Sequence, residues 1–217
     1  MPQIETKNKL LAGYVALAPV IPVVTIADEK TAEALARTLV EAGLPVVEVT
    51  LRTKAALRAI ERIARLVPEA VIAAGTIQRP GQIEDVASAG AKLIVTPGTP
   101  PALAEALAES ALPAMPGCAT VSEAMALADL RFSYLKFFPA IASGGLAWLK
   151  AVAAPVPQVS FCPTGGLDAA SAPAFLALPN VACVGGAWMV PADAVAAGDW
   201  ARIGTLARAA AGLSRAR

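Results

Sequence analysis

Residues 46–77 read VVEVTLRTKAALRAIERIARLVPEAVIAAGTI, and this stretch decides the fold. Two apolar, β-branched runs, Val46–Leu51 and Val71–Ile77, bracket a segment of different periodicity. Between them, over Lys54–Leu66, Ala55, Leu57, Ile60, Ile63 and Leu66 recur at helical spacing, and Pro68 ends the pattern. Each flanking run is apolar almost throughout rather than at alternate positions. That suits strands buried on both faces, as in a parallel sheet covered by helices. The stretch is therefore a β-α-β unit.

The unit recurs along the whole chain. Outward from it, further strand candidates are Pro19–Ile26, Leu93–Thr96, Leu112–Met115, Tyr134–Phe138, Val159–Cys162 and Val181–Val184. Helix candidates alternate with them: Thr31–Ala42 ending at Gly43, Gln82–Ala89 ending at Gly90, Ala102–Ser110, Thr120–Ala128, Gly145–Ala153, Ala169–Leu178 and Asp193–Leu213. Thr120-Val121-Ser122-Glu123 is a capping box. Strict alternation with short connections means a parallel sheet. Eight repeats predict closure into a (β/α)8 TIM barrel, with an open doubly wound sheet as the alternative architecture. Such barrels take roughly 250 residues, so 217 residues make a compact one. No linker or composition shift divides the chain, so residues 1–217 are expected to be a single domain.

Composition narrows the function. Residues of the set AVILMFWYC make up 56% of the chain and charged residues 16%, so much surface must be buried in the sheet or between subunits. A net charge of +1 gives no pull toward nucleic acid or an anionic membrane. No apolar stretch reaches about 18 residues without Pro or a charge, so no transmembrane helix is expected. The chain has no His, which excludes a Ser-His-Asp triad, His-ligated zinc and imidazole acid–base chemistry. Cys118, Cys162 and Cys183 show no CxxC spacing and are odd in number, which fits free thiols in a reducing cytoplasm. Lys7 and Lys9 before the apolar run Leu10–Ala18 mimic a secretory signal. The free cysteines and Glu5 favour instead an extra N-terminal amphipathic helix packed on the bottom of the barrel.

In a (β/α)8 barrel the active site lies at the C-terminal ends of the strands. Polar residues occur there. Lys136, between Leu135 and Phe137-Phe138, stands out most. A buried lysine is expensive to ionise unless paired, and desolvation favours the neutral amine that Schiff-base chemistry needs. The structural alternative is an ion-paired or snorkelling lysine. Glu48 is an isolated carboxylate in an apolar run, either the salt-bridge mate of Lys136 or a general acid–base. Arg52, just past its strand, suits a carboxylate or phosphate, or is simply solvated. Gly165-Gly166 and Gly185-Gly186 follow the last two strands, where barrels bind phosphate through backbone N–H groups, unless they are only tight turns.

Taken in order, Glu48-Val49-Thr50-Leu51-Arg52-Thr53, Ala74-Gly75-Thr76, Lys136-Phe137-Phe138-Pro139-Ala140, Phe161-Cys162-Pro163-Thr164-Gly165-Gly166 and Gly185-Gly186 resemble the class I 2-keto-3-deoxy-6-phosphogluconate (KDPG) aldolases, which also cleave 4-hydroxy-2-oxoglutarate. The likeness runs in register from about Pro19 to the final helix. It implies a Schiff-base aldolase that splits KDPG into pyruvate and glyceraldehyde 3-phosphate. In it Lys136 forms the iminium and Glu48 shuttles protons. Arg52 and Thr76 hold the carboxylate of the 2-keto acid. Pro97 and Phe138 wall the pocket, Thr164 contacts substrate hydroxyls, and Gly165, Gly166 and Gly186 donate to the phosphate. The resemblance also implies no metal, no cofactor and a homotrimer.

The chain departs from the family at Ala187, in the phosphate site, where Ser is usual. Thr96 stands where Ser is common, and Ile141-Ala142-Ser143 where a Glu often follows. These departures leave open a preference for 4-hydroxy-2-oxoglutarate or unphosphorylated 2-keto-3-deoxy acids, while the retained Thr164 favours the gluco over the galacto substrate. Two remoter alternatives are a sugar-phosphate isomerase or epimerase, which would lean on a His, a metal or a second carboxylate, and a non-catalytic barrel that binds a phosphorylated metabolite.

Overall fold

Short apolar runs lie side by side in chain order and curl until the last meets the first. The computed structural model describes residues 2–215, with side chains from Ile4 onward. The strands are β1 (Val20–Val24), β2 (Val46–Thr50), β3 (Val71–Gly75), β4 (Leu93–Val95), β5 (Ala114–Met115), β6 (Gly117–Cys118), β7 (Tyr134–Phe137), β8 (Ser160–Pro163) and β9 (Val184–Gly186). All pair in parallel: β5-β4-β3-β2-β1-β9 form one ladder and β6-β7-β8 another. The bridges Phe161↔Val181 and Thr164↔Gly185 join β8 to the β9 segment and close the ring.

The helices outside are α2 (Ala32–Glu41), α3 (Ala56–Leu66), α4 (Gln82–Ser88), α5 (Pro101–Glu109), α6 (Val121–Asp129), α7 (Gly145–Val152), α8 (Ala172–Leu176), α9 (Ala192–Ala197) and α10 (Trp200–Ala211). Their apolar faces meet the outward side chains of the strands in one cluster that runs from Ile4 to Ala210. The barrel expectation is met, and the open sheet is not formed.

The N-terminal helix α1 (Pro2–Ala16) packs on the barrel as expected. Its Leu11 and Val15 join Ile21, Val46, Leu93 and Met115 in the lower barrel interior and close its bottom. Lys7 is buried as well. Its Nζ donates to the carbonyls of Leu107, Ala108 and Ser110 at 3.1, 2.7 and 2.8 Å, satisfying acceptors left open at the end of α5. The capping box is present: Thr120 accepts from the Glu123 amide, and the Glu123 carboxylate accepts from the Thr120 and Ala119 amides.

Several boundaries differ from the sequence reading. The expected strand Leu112–Met115 becomes β5 and β6, split at Pro116, which lacks an N–H for the ladder. The last strand lies at Val184–Gly186 rather than Val181–Val184, because its partner is β1 and the register Val20↔Val184 sets its place. The expected helix Asp193–Leu213 is two helices. Gly198 adopts a left-handed φ of +66° and Asp199 caps the second. Among the described residues no helix is long and apolar enough to cross a membrane.

Candidate active site

Alternation along β2 turns Val47 and Val49 outward to the helices and Glu48 inward. Thr50 at the end of β2 pairs with Gly75 on the neighbouring strand β3. A Cβ at Gly75 would overlap the carboxylate of Glu48, standing 2.7 Å from its Cγ and 2.9 Å from its Cδ. Glycine there is what makes room for an acid inside the barrel.

Lys136 enters from the other side on β7. Its Nζ donates to Glu48 Oε1 at 2.8 Å, and the two residues are only 5% and 3% exposed. Each residue thus meets the need of the other, since a buried charge alone is strongly unfavourable. Nζ also lies 5.5 Å from the Phe138 ring centroid, within cation–π reach. Beneath Lys136, Cys162 is its ladder partner on β8. The interaction between the Cys162 and Cys183 thiols draws Cys162 down and pushes Cys183 up. Cys118 is separate, and burial followed by the Glu123 charge raises it to about 12.

The main chain of Lys136 is held by a polar clamp. The Lys136 amide donates to Pro116 O at 2.9 Å, and Lys136 pairs with Gly117. The Gly117 amide donates to Thr96 Oγ1 at 2.8 Å, and Thr99 Oγ1 donates to Gly117 O at 2.9 Å. A Cβ at Gly117 would lie 2.5 Å from the carbonyl carbon of Pro97, so the wall at Pro97 packs directly on the backbone next to Lys136.

The mouth above holds a cavity of about 320 Å³ lined by Arg52, Lys136, Phe138, Thr164, Gly165, Gly166, Gly186 and Ala187. Gly165 and Gly166 take φ of +102° and +83°, conformations that L side chains rarely adopt. The Trp188 ring covers Gly186 so closely that no Cβ fits. Arg52 is exposed at the rim, and apart from Lys136 it is the sole cationic side chain among the residues lining the cavity. Thr76 and Pro97 lie just past β3 and β4 without lining this cavity, and Thr76 has a left-handed φ of +64°. Non-glycine residues in that region store strain and gather at functional sites.

Sequence reasoning missed Val23, Leu167 and Trp188 as lining residues, and it gave no role to Gly75 or Gly117. Gly75 lies inside one of the family motifs, and Leu167 and Trp188 stand just past two others, which was the available signal. Nothing local marks Val23. A larger groove of about 570 Å³ between α5 and α6 reaches Gly98 and Thr99 in the loop after β4 but carries no lysine. Among the described residues, no three His, Cys, Asp or Glu side chains gather as a metal site.

A strand-end lysine held beside an acid in a closed barrel is placed where Schiff-base chemistry could use it. Residues 12–206 match the family model for KDPG and KHG aldolases. The chain belongs to this family. The aldolase is 47% identical to the KHG/KDPG aldolase of Escherichia coli over 192 residues, 88% of this chain and 90% of the relative. It is 46% identical to the 2-dehydro-3-deoxy-phosphogluconate aldolase of Pseudoalteromonas atlantica, over 88% and 89% of the two chains. Its fold superposes with a TM-score of 0.91 on the KDPG aldolase of Legionella pneumophila, 43% identical, covering 93% of this chain and 98% of that one. That structure holds pyruvate captured at low pH as a covalent carbinolamine intermediate.

Proposed function

We propose that this aldolase cleaves KDPG to pyruvate and glyceraldehyde 3-phosphate through a Schiff base on Lys136. The observation that carries the reading is the buried Lys136–Glu48 pair, 2.8 Å apart below a cavity at the C-terminal ends of the strands. The carbinolamine in the Legionella pneumophila relative supports it.

The chemistry follows from the pair. Glu48 takes a proton from Lys136 along their hydrogen bond, and the free amine adds to C2 of the keto acid. Glu48 returns the proton to the carbinolamine hydroxyl, which leaves as water. The iminium at C2 then withdraws electrons from C3. Glu48 removes the proton of the C4 hydroxyl, the C3–C4 bond breaks, and the aldehyde departs while its bonding pair forms an enamine. Protonation at C3 and addition of one water release pyruvate and restore Lys136. Positioned acid–base help of this kind contributes typically about 10²–10⁴-fold.

Arg52 and Thr76 hold the carboxylate, Arg52 through its planar fork. Pro97 and Phe138 confine the reacting carbons, and Thr164 meets the substrate hydroxyls. Gly165, Gly166 and Gly186 present N–H groups to the phosphate beside Ala187. Residues 1–217 act as one catalytic unit. A cytoplasmic setting is supported by three buried free thiols. A homotrimer is supported by exposed Val121, Met125 and Leu130 in and next to α6.

Borohydride reduction in the presence of pyruvate, followed by peptide mapping, tests the proposal. One reduced adduct on Lys136 is expected. An unaltered mass would reject Schiff-base catalysis and favour a barrel that only binds metabolites. Ala187 favours a second reading, in which 4-hydroxy-2-oxoglutarate or unphosphorylated acids are preferred. The ratio of kcat/KM for phosphorylated and unphosphorylated substrates separates the two, and a ratio near one selects the second.

A further inference from the structure

A second cavity, of about 540 Å³, opens at the same end of the barrel, between the segment after β1 and the start of α9. Val23 and Ala187 line both this space and the one above Lys136, so the two cavities are neighbours across these residues. Val23 is also the ladder partner of Glu48. The second cavity thus lies directly beside the one above the reacting lysine, at the glycine rim.

Its wall chemistry is distinct. Thr50 donates its hydroxyl proton to Val24 O at 3.0 Å, and the Thr25 and Thr50 hydroxyl oxygens are 3.0 Å apart. Thr25 must therefore donate to Thr50, which leaves its oxygen as an acceptor. Asp28, whose Oδ1 accepts from the Lys30 amide, lines the same space, and no lysine or arginine does. The rest of the lining is mostly apolar. Such a wall welcomes hydroxyl donors on a carbon chain and repels an anion.

We infer that this cavity is a second subsite, which takes the far end of acceptor aldehydes longer than glyceraldehyde, provided that end is uncharged and hydroxylated. The inference rests on the Lys136 reading above. In the synthetic direction C3 of the Lys136-bound pyruvate enamine bonds to the aldehyde carbon, and the aldehyde oxygen takes the proton that Glu48 carries. One water then frees the longer 2-keto-3-deoxy acid. Ala187 in place of Ser leaves the boundary between the two cavities without a side-chain donor for a phosphate.

The test is the rate of pyruvate addition to glyoxylate, D-erythrose and D-erythrose 4-phosphate, by the wild type and by Ala27→Trp, Ala192→Trp and Asp28→Asn. Ala27 and Ala192 both line the second cavity and are exposed, so an indole there fills the space without entering the core. The wild type is expected to use D-erythrose with kcat/KM about tenfold or more above that for the 4-phosphate. Each Trp variant is expected to lower the D-erythrose value about tenfold while glyoxylate stays within about twofold. Asp28→Asn should narrow the gap between D-erythrose and its phosphate. Refusal of D-erythrose, preference for its phosphate, or equal losses for both aldehydes in the Trp variants would overturn the subsite. Absence of a pyruvate adduct on wild-type Lys136 would instead overturn the underlying catalytic reading, so the two failures are distinguishable.

Discussion

Glu48 occupies the space that a side chain at Gly75 would need: a Cβ there would stand 2.7 Å from Glu48 Cγ. The backbone of Gly75 is ordinary strand, not the left-handed region, so alanine is conformationally acceptable there and only the carboxylate objects. Gly75→Ala is therefore expected to fold and to push Glu48 away from Lys136. A displaced proton carrier should lower kcat by about 10²–10⁴-fold. Steady-state rates checked against circular dichroism measure this, and a near-normal kcat would detach Glu48 from the chemistry.

Removing Lys136 should be felt in stability as well as turnover. Lys136→Ala abolishes the pyruvate adduct and leaves the Glu48 carboxylate buried without its partner. Breaking a buried pair this way costs about 3–5 kcal/mol. The double variant Lys136→Ala, Glu48→Gln is expected to recover most of that loss in urea unfolding. Additive losses in the double variant would show that the pair is not coupled.

Ala187→Ser returns a hydroxyl to the phosphate end of the cavity. A hydrogen bond to a charged group is worth roughly 1.5–3 kcal/mol. The KM for the phosphorylated substrate should fall by about one or two decades, with that for 4-hydroxy-2-oxoglutarate unchanged. A KM that does not move would place the phosphate elsewhere.

Lys7→Met should loosen the barrel bottom without touching catalysis. The side chain keeps its apolar stem but loses three carbonyl contacts at the end of α5. A destabilisation of about 1.5–3 kcal/mol is expected, read as a lower urea midpoint at unchanged kcat.

Acid should weaken the start of α6 through Glu123. The Ala119 amide holds its carboxyl below the ordinary 4.5, against the opposing effect of burial, and the amide and hydroxyl of its cap partner Thr120 lower it further. A folded value lower than the unfolded one means the unfolded chain binds the proton first. The stabilisation is therefore complete above pH 4.5 and is lost as pH falls through the lowered folded value. Glu123→Gln should flatten that part of the stability–pH curve. An unchanged curve would remove the capping box from acid unfolding.

Local pattern carried much of this molecule. Strands buried on both faces must be apolar at nearly every position, so β2, β3 and β7 stood out against the 3.6-residue rhythm of α3. In that setting Glu48 and Lys136 were conspicuous because burying either alone is strongly unfavourable. The break at Pro116 and the left-handed Gly198 were less visible, since each depends on which neighbour the chain meets next. The shifted β9 was set by pairing with β1, some 160 residues earlier in the chain.

The alternating order of the elements, the acid and the lysine that belong together, and the glycine rim were determined by residue chemistry at fixed spacing. Only the tertiary structure decided that Glu48 and Lys136 lie 2.8 Å apart, that Gly75 and Gly117 clear their way, and that Val23 and Ala187 line two neighbouring cavities. The reason is physical: periodicity records what each residue faces, inside or out. The distance between side chains far apart in the chain exists only once the ring of strands has closed.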